Sequence, residues 1–216
     1  MIARVLCLFF GYCFGLLQTS YIYGRLNGID IREHGSGNAG TTNALRVLGK
    51  KAGLVVFLGD FMKAVVAVVI ARLIMNRIDA DNICTYMAYA GFGVVLGHNF
   101  PFYLGFRGGK GIAATAGLIL SFHPYFIVVG VILFFGAFLI THYVSLGSLL
   151  VYAGLMIQMV VCGQMGLFHT TQAILNEMYV ITALLTILAY YKHRENIVRL
   201  IKGEERKTYL TKKNKQ

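Results

Sequence analysis

The sequence is poor in charge and in proline. Of its 216 residues, 13% are charged and 57% are hydrophobic, whereas about a quarter of the residues in a soluble domain carry charge. From residue 111 to residue 176 there is no Asp, Glu, Lys or Arg. The two prolines, Pro101 and Pro124, fall between apolar runs, where they interrupt helices. These shortages exclude a soluble enzyme and predict a single all-α domain over residues 1–216, a polytopic transmembrane helical bundle.

Patterns for metals and disulfides are also missing. The four cysteines, Cys7, Cys13, Cys84 and Cys162, lie in apolar runs, and no C-x-x-C or Cys/His spacing occurs. We therefore expect small buried side chains at these positions, and neither a metal nor a cofactor. The Gly-Gly-Lys-Gly run at 108–111 lacks the Ser or Thr of a Walker A motif, so a nucleotide site is not indicated.

Apolar runs predict about seven membrane spans. They cover residues 2–23, 52–75, 83–100, 112–123, 124–141, 145–163 and 174–191. The first run lacks a small-residue cleavage site, so we interpret it as a retained span rather than a signal peptide. The fourth is short, and a half-helix that dips into the membrane and returns there would give five or six spans instead.

The basic residues predict the orientation of these spans. Asp and Glu number only 9 against 20 Lys and Arg, and sixteen of the twenty fall in residues 24–51, 98–111 and 192–216. The positive-inside rule places all three segments on the cytoplasmic side. The number of spans between them must then be even, which favours seven spans with the N-terminus outside and the C-terminus in the cytoplasm. The net charge of +11 also favours anionic partners and lipid headgroups.

Three polar segments interrupt the apolar sequence, and each has chemistry that suits phosphate. Residues 34–46 combine three glycines with hydroxyl and amide side chains and continue into a capped helix start at Thr42. Residues 108–111 surround one lysine with glycines. Residues 193–204 place His193, Asn196 and Arg199 at intervals of three on one helix face. Taken singly, the first also fits a solvated loop and the third a basic membrane-flanking tail.

Further polar residues lie inside or at the ends of the predicted spans. Asp60 and Lys63 are three residues apart on the second span and are expected to form a neutralising pair. His98 ends the third span, where a hydrogen-bonded structural role and a functional role are both open.

These residues together resemble a known family, the bacterial acyl-phosphate-dependent glycerol-3-phosphate acyltransferases (the PlsY family), over essentially the whole chain. The resemblance rests on the order and spacing of the three segments, with Asp60 and Lys63 between the first two and Gly97-His98-Asn99-Phe100-Pro101 before the second. Two departures are visible. Thr41 stands where the family usually has Ala, and Ala64 where it usually has Gly.

The resemblance implies a reaction and a location. A fatty acyl group would pass from acyl phosphate to the 1-hydroxyl of sn-glycerol 3-phosphate, giving 1-acyl-glycerol 3-phosphate and phosphate, the first step of phospholipid synthesis. The enzyme would lie in the bacterial inner membrane with its active site on the cytoplasmic face. Its partners would be the two substrates, membrane lipid and the enzyme that makes acyl phosphate from acyl carrier protein, with no nucleic acid.

The resemblance also implies roles for particular residues. The glycerol-phosphate pocket would be formed by Ser36, Arg46, Lys110, His193 and Asn196. Backbone amides would hold acyl phosphate at Gly40, Thr42, Asn43, Gly108, Gly109 and Gly111. Support would come from Asn38, Asp60, Lys63 and Arg199, and the catalytic candidates are His98, Lys110 and His193.

The proton acceptor is left open by the sequence. None of the six histidines has an Asp five positions on, so the His-x-x-x-x-Asp dyad of thioester-dependent acyltransferases is missing. The substrate phosphate, His98 and His193 are the alternatives.

Two other classes of protein compete with this interpretation. An organic-anion transporter or channel would place polar residues across the membrane midplane, and a scaffold would need no phosphate-type loops.

Overall fold

The computed structural model describes residues 1–209 and is built from α-helices, with no β-strand in that range. The helices are α1 (Ile2–Gly15), α2 (Thr19–Leu26), α3 (Thr41–Leu48), α4 (Lys50–Met75), α5 (Ile83–Asn99), α6 (Ile112–Phe122), α7 (Pro124–Thr141), α8 (Val144–Gln164), α9 (Gln172–Lys192) and α10 (Arg194–Ile201). The predicted all-α class is confirmed. The last three lysines of the predicted basic tail, Lys212, Lys213 and Lys215, lie outside the described residues.

Within residues 1–209, five helical stretches are long and apolar enough to cross a membrane. They are Ile2–Leu26, Lys50–Met75, Pro124–Thr141, Val144–Gln164 and Gln172–Lys192. The predicted short span at 112–123 is an 11-residue helix, which at about 1.5 Å per residue reaches only about 16 Å. Since α6 covers about half of a hydrocarbon core, the count of seven spans stays a prediction.

The first candidate span is broken where the sequence predicted one run. α1 ends at Gly15 and α2 begins at Thr19. The break frees backbone carbonyls inside the protein, and the Lys63 ammonium donates to two of them, the oxygens of Gly15 at 3.3 Å and Leu17 at 2.6 Å. Irregular backbone at membrane depth is tolerated only when its polar groups find such partners.

A glycine seam holds α1 against α5. Gly11 and Gly15 on α1 pack against the backbone of α5, and Gly93 and Gly97 on α5 pack against the backbone of α1. The two glycines of each helix are four residues apart. A Cβ atom at Gly93 would lie 2.1 Å from the Leu8 carbonyl oxygen, so the two backbones touch with no side chain between them. Lipid tails are as apolar as the helices, which makes close van der Waals contact the main source of association in a membrane.

The two ends of the bundle differ in chemistry. At the end where α1 begins, Arg4 donates to both oxygens of Glu177 at 2.6 and 2.8 Å, and the Tyr89 hydroxyl donates to the same carboxylate at 3.0 Å. These contacts join α1, α5 and α9. At the opposite end α5 and α9 finish, α3, α6 and α8 begin, and a polar cavity opens.

Candidate active site

The cavity has a volume of about 450 Å³ and is rich in positive charge. Of the residues that the structure describes, seven Lys or Arg and three acidic residues line it. All but two of the predicted site residues lie on its wall: Ser36, Asn38, Gly40, Thr42, Asn43, Arg46, Asp60, His98, Gly108, Lys110, Gly111, His193, Asn196 and Arg199. The exceptions, Gly109 and Lys63, are not among the lining residues. The three polar segments therefore meet in one place.

Two helix N-termini supply free amide donors to the cavity. Gly40 precedes α3 and Gly111 precedes α6, and both line the wall. Within the described chain, the first amides of α3, at 41–43, and of α6, at 112–114, donate to no protein acceptor. The amides and the helix dipoles together favour an anion at these two positions.

The glycine loop between α5 and α6 differs from the prediction. Gly108 and Gly109 were expected to present free amides, but Gly108 donates to the Asn99 carbonyl at 3.3 Å and Gly109 to the His98 carbonyl at 3.1 Å. That premise is wrong for both, because the loop folds back onto the end of α5. It is also wrong for Gly40, whose amide donates to the Asn38 carbonyl at 3.0 Å. A place for these residues in acyl-phosphate binding stays a prediction.

Close contact explains why the loop needs glycine. A Cβ atom at Gly108 would lie 2.0 Å from the His98 carbonyl oxygen, and one at Gly109 would lie 2.1 Å from His98 Nε2. Gly111 has a φ of +86°, the left-handed region that favours glycine. The glycines therefore bring the backbone against His98 and turn the chain into α6.

Lys110 lies in a hydrogen-bonded chain that crosses the cavity wall. Its ammonium donates to Asn196 Oδ1, and Asn196 Nδ2 donates to Glu205 Oε1 at 2.6 Å. The Glu205 carboxylate also accepts from Ser145 Oγ at 3.0 Å and from Arg199 Nε at 2.8 Å. One carboxylate thus orients an amide, a hydroxyl and a guanidinium at once.

Glu205 is placed differently from the sequence interpretation. The third polar segment was drawn to end at Gly203-Glu204, but Glu204 is exposed and the Glu205 side chain is only 6% exposed. Arg199 pairs with Glu205, in keeping with its predicted supporting role. The sequence did hold one signal for Glu205, which is the last acidic residue of the basic segment after Lys192. A buried carboxylate in such a segment needs a cationic partner.

The segment after α10 returns across the cavity. Arg46 donates to Thr208 Oγ1 at 3.3 Å, and the Thr208 amide donates to the His142 carbonyl at 2.9 Å. Arg206 donates to the Gly35 carbonyl at 3.3 Å. Burial and the neighbouring Arg206 charge lower the pKa of Arg46 from its usual value. Arg206 and Thr208 were not predicted as site residues, because no motif marks them.

Asn43 proves to be a structural residue of the first polar segment. Its Oδ1 accepts from the Ser36 amide at 2.9 Å, and its Nδ2 donates to the carbonyls of Ile31 and His34 at 3.1 and 2.9 Å. The side chain is 1% exposed. Its amide group fixes the path of the loop, which sets Ser36 on the cavity wall.

The pKa values of His193 and Lys110 are both lowered from their usual values. Burial lowers the pKa of His193 to about 4, with partial compensation from the Ala189 carbonyl. Burial and the nearby Arg199 charge lower the pKa of Lys110 to about 8. The His193 ring nitrogen Nδ1 lies 2.8 Å from the Ala189 carbonyl. Because a carbonyl only accepts, Nδ1 carries the proton and Nε2 keeps a lone pair.

Asp60 and Lys63 form the pair that their spacing predicted. Lys63 Nζ lies 2.8 Å from Asp60 Oδ1, and their side chains are 3% and 1% exposed, respectively. Thr19 Oγ1 donates to the same Asp60 oxygen at 3.1 Å. Lys63 Nζ is also 2.9 Å from His98 Nδ1, so the pair is tied to the cavity wall. This contact with His98 was not predicted.

Comparison with known proteins identifies the family. The family model described as glycerol-3-phosphate acyltransferase matches residues 5–203. A glycerol-3-phosphate acyltransferase of Clostridioides difficile (strain 630) is 42% identical over 199 residues, 91% of each chain. One from Halalkalibacterium halodurans is 39% identical over 197 residues, again 91% of each.

Solved structures agree with the sequence matches. The glycerol 3-phosphate form of PlsY, described as an integral membrane glycerol 3-phosphate acyltransferase, superimposes with a TM-score of 0.81 at 30% identity, covering 95% of this chain and 96% of that one. Its lysophosphatidic acid form gives 0.79 at 30% identity, covering 96% of each. The three polar segments, the cationic cavity and these matches place the chain in the PlsY family of glycerol-3-phosphate acyltransferases.

Proposed function

We propose that this protein transfers a fatty acyl group from acyl phosphate to the 1-hydroxyl of sn-glycerol 3-phosphate. The products are 1-acyl-sn-glycerol 3-phosphate and inorganic phosphate. The observation that carries the proposal is the cationic cavity at one end of an apolar bundle, on which all three polar segments converge. Its volume of about 450 Å³ is within the range of small-molecule sites.

The composition of the cavity suits two substrates that each carry a phosphate. Arg46 and Lys110 are suited to the phosphate of glycerol 3-phosphate, as a planar fork and a point charge respectively. The free amides at the starts of α3 and α6 are suited to the phosphate of the acyl donor. Apolar residues on the same wall, Phe106, Ile112 and Val144, offer a path for the acyl chain towards lipid.

The chemical step needs a nucleophile, a leaving group and a base that accepts the proton of the nucleophile. The 1-hydroxyl oxygen attacks the acyl carbonyl carbon, a C–O bond forms, and the bond from that carbon to the phosphate oxygen breaks. Phosphate leaves with the electron pair, and the hydroxyl proton passes to a base. His193 Nε2 has the lone pair for this, and the leaving phosphate is the alternative. Cationic and amide donors stabilise the oxyanion that forms between these events.

The membrane setting follows from the same chemistry. We propose a bacterial inner-membrane location with the cavity facing the cytoplasm, where glycerol 3-phosphate is dissolved. The acyl donor is then supplied by an enzyme that converts acyl carrier protein thioester to acyl phosphate. Anionic lipid around the basic end would hold such a cationic protein at the interface.

The donor test decides the proposal. Purified protein in detergent, given glycerol 3-phosphate and palmitoyl phosphate, should form lysophosphatidic acid and phosphate in equal amounts. Palmitoyl-coenzyme A and palmitoyl carrier protein should give no product, because the site suits a bare phosphate. Comparable turnover of a thioester would refute the donor assignment. Uptake of glycerol 3-phosphate into vesicles without acyl transfer would favour a transporter instead.

A further inference from the structure

A buried group of three titratable side chains lies behind the cavity wall. His98, Lys63 and Asp60 are 3%, 5% and 1% exposed. Lys63 stands between the other two, with Nζ 2.9 Å from His98 Nδ1 and 2.8 Å from Asp60 Oδ1. His98 and Asp60 line the cavity and Lys63 does not. The lysine therefore acts on the site through its neighbours.

The surroundings of Lys63 require the charged ammonium form. Its Nζ contacts the carbonyl oxygens of Leu17 at 2.6 Å and Gly15 at 3.3 Å, besides Asp60. All three partners are oxygens that only accept, and the carboxylate is buried. A neutral amine would leave the Asp60 charge without a counter-ion, which is strongly unfavourable. The ammonium supplies three hydrogens, and the shortest contacts direct them to Leu17, Asp60 and His98.

The ammonium fixes the tautomer of His98. Lysine has no acceptor, so His98 Nδ1 must accept, and the ring proton must lie on Nε2. A second proton on Nδ1 would set two donors face to face at 2.9 Å. The Asp60 carboxylate does not compete for this nitrogen, since its nearest oxygen is 3.6 Å away. His98 is thus held as the neutral form with an N–H at Nε2.

The Nε2–H group points towards the glycine loop and is unused by the protein. Among residues 1–209, no hydrogen bond reaches this nitrogen. Gly109 leaves room for it, because a Cβ there would lie 2.1 Å from Nε2. The backbone of His98 is anchored as well, since its carbonyl accepts from Gln18 Nε2 at 3.0 Å and from the Gly109 amide at 3.1 Å.

We propose that His98 donates a hydrogen bond from Nε2 to an anionic oxygen of acyl phosphate, and that Lys63 and Asp60 are positioning residues that hold it in this tautomer. The inference rests on the proposed function and removes His98 from the candidate bases, because its only lone pair is engaged by Lys63. His193 has the opposite tautomer, because its Nδ1 donates to the Ala189 carbonyl and its Nε2 can accept. The two histidines therefore have opposite roles.

The tautomer is measured directly by nitrogen-15 NMR of the imidazole rings in the full chain, reconstituted in nanodiscs at neutral pH. His98→Asn identifies the His98 signals. We expect wild-type His98 to be protonated at Nε2 alone, and Lys63→Met to shift the proton to Nδ1, with His193 unchanged. Wild-type His98 protonated at Nδ1, or at both nitrogens, overturns the proposal. This measurement needs no turnover, so it stands or falls separately from the acyltransferase assignment.

A pair of substitutions tests the role in catalysis. Glutamine places an amide donor near the position of Nε2, whereas asparagine places one near Nδ1. We expect His98→Gln to retain a kcat at least about tenfold above that of His98→Asn, in the range by which oxyanion donors act. Equal losses in the two folded variants would overturn the proposal.

The positioning role of Lys63 is tested by comparing the effect of its substitution on kcat with the effect on KM. Lys63→Met should lower kcat at least about tenfold with little change in KM for glycerol 3-phosphate, and Lys63→Arg should restore part of the rate. If Lys63→Met does not fold, the double variant Asp60→Asn/Lys63→Met, which leaves no buried charge unpaired, is used with the same NMR and kinetic readouts. A loss confined to KM, or unchanged kinetics in a folded variant, would contradict the assignment.

Discussion

Arg46 reaches the cavity from helix α3 and Lys110 from the loop before α6, and each is suited to bind a substrate phosphate. The only side-chain hydrogen bond of Arg46 within residues 1–209 is to Thr208. Loss of a charge-assisted bond costs about 1.5–3 kcal/mol, so Arg46→Ala and Lys110→Ala should each lower kcat/KM for glycerol 3-phosphate at least about tenfold. Arg46→Lys should recover only part, because a point charge does not replace a planar fork.

The control for these variants is Lys51→Ala. Lys51 is exposed and does not line the cavity, although it belongs to the same basic segment as Arg46. It should keep the wild-type rate at low glycerol 3-phosphate. Near-normal rates in folded, membrane-inserted Arg46→Ala protein would show that the phosphate lies elsewhere.

The lowered pKa of Lys110, about 8, predicts a pH dependence. Lysine is charged below its pKa and neutral above it, so kcat/KM for glycerol 3-phosphate should fall as pH rises through about 8. His193, with its pKa near 4, stays neutral over this range. The substrate phosphate ionises near pH 6, so the profile is measured from about pH 7 to 10. Lys110→Arg should remove this fall, and a fall that persists at the same pH would exclude Lys110 as its source.

Contacts between residues close in sequence were predictable, and contacts between distant ones were not. The Asp60–Lys63 pair follows from helical spacing, since residues three apart share a face. The contact of Lys63 with His98 joins separate helices, and no spacing rule gives it. Free amides at Gly108 and Gly109 were expected from the glycine-rich composition of the loop and from the family resemblance. That prediction failed because the loop uses those amides to fold onto α5.

At the scale of helices, the glycine seam is a testable part of the fold. Gly93→Ala should destabilise the protein by about 1–3 kcal/mol, because the added methyl would overlap the α1 backbone. Thermal unfolding in detergent measures this. Gly136→Ala on α7 is the matched control, since a Cβ there meets nothing within 4 Å. It should be neutral or stabilising by up to about 1 kcal/mol. Equal effects of the two changes would argue against a packed seam.

The sequence predicted where helices occur more accurately than where a helix is interrupted. The neutral stretch from 111 to 176 was expected to contain several helices, and α6, α7 and α8 lie within it. The break between α1 and α2 was missed, because no proline marks it and Gly15 fits an apolar helix. The break is stabilised by Lys63, a residue on another helix. A search limited to local signals therefore could not find it.

At the scale of the whole molecule, the arrangement suits the proposed reaction, in which a water-soluble reactant and a lipid-soluble one would meet at the same point. The cationic cavity lies at one end, and the rest of the bundle is an apolar surface for lipid. An anion transporter would need polar groups through the midplane. In residues 1–209, the opposite end instead holds the Arg4–Glu177 ion pair, which joins α1 to α9. This geometry favours chemistry at an interface over passage through the membrane.

The last prediction concerns orientation. Residues from 24–51, 98–111 and the segment after Lys192 border one cavity, so all three must lie on the same side, and the positive-inside rule makes that side cytoplasmic. In a cysteine-free background, Arg107→Cys should react with an impermeant maleimide only after the cells are opened. Asp81→Cys, an exposed position in the α4–α5 connection at the other end, should react in intact cells. Labelling of position 107 from outside would reverse the topology and place the cavity away from cytoplasmic glycerol 3-phosphate.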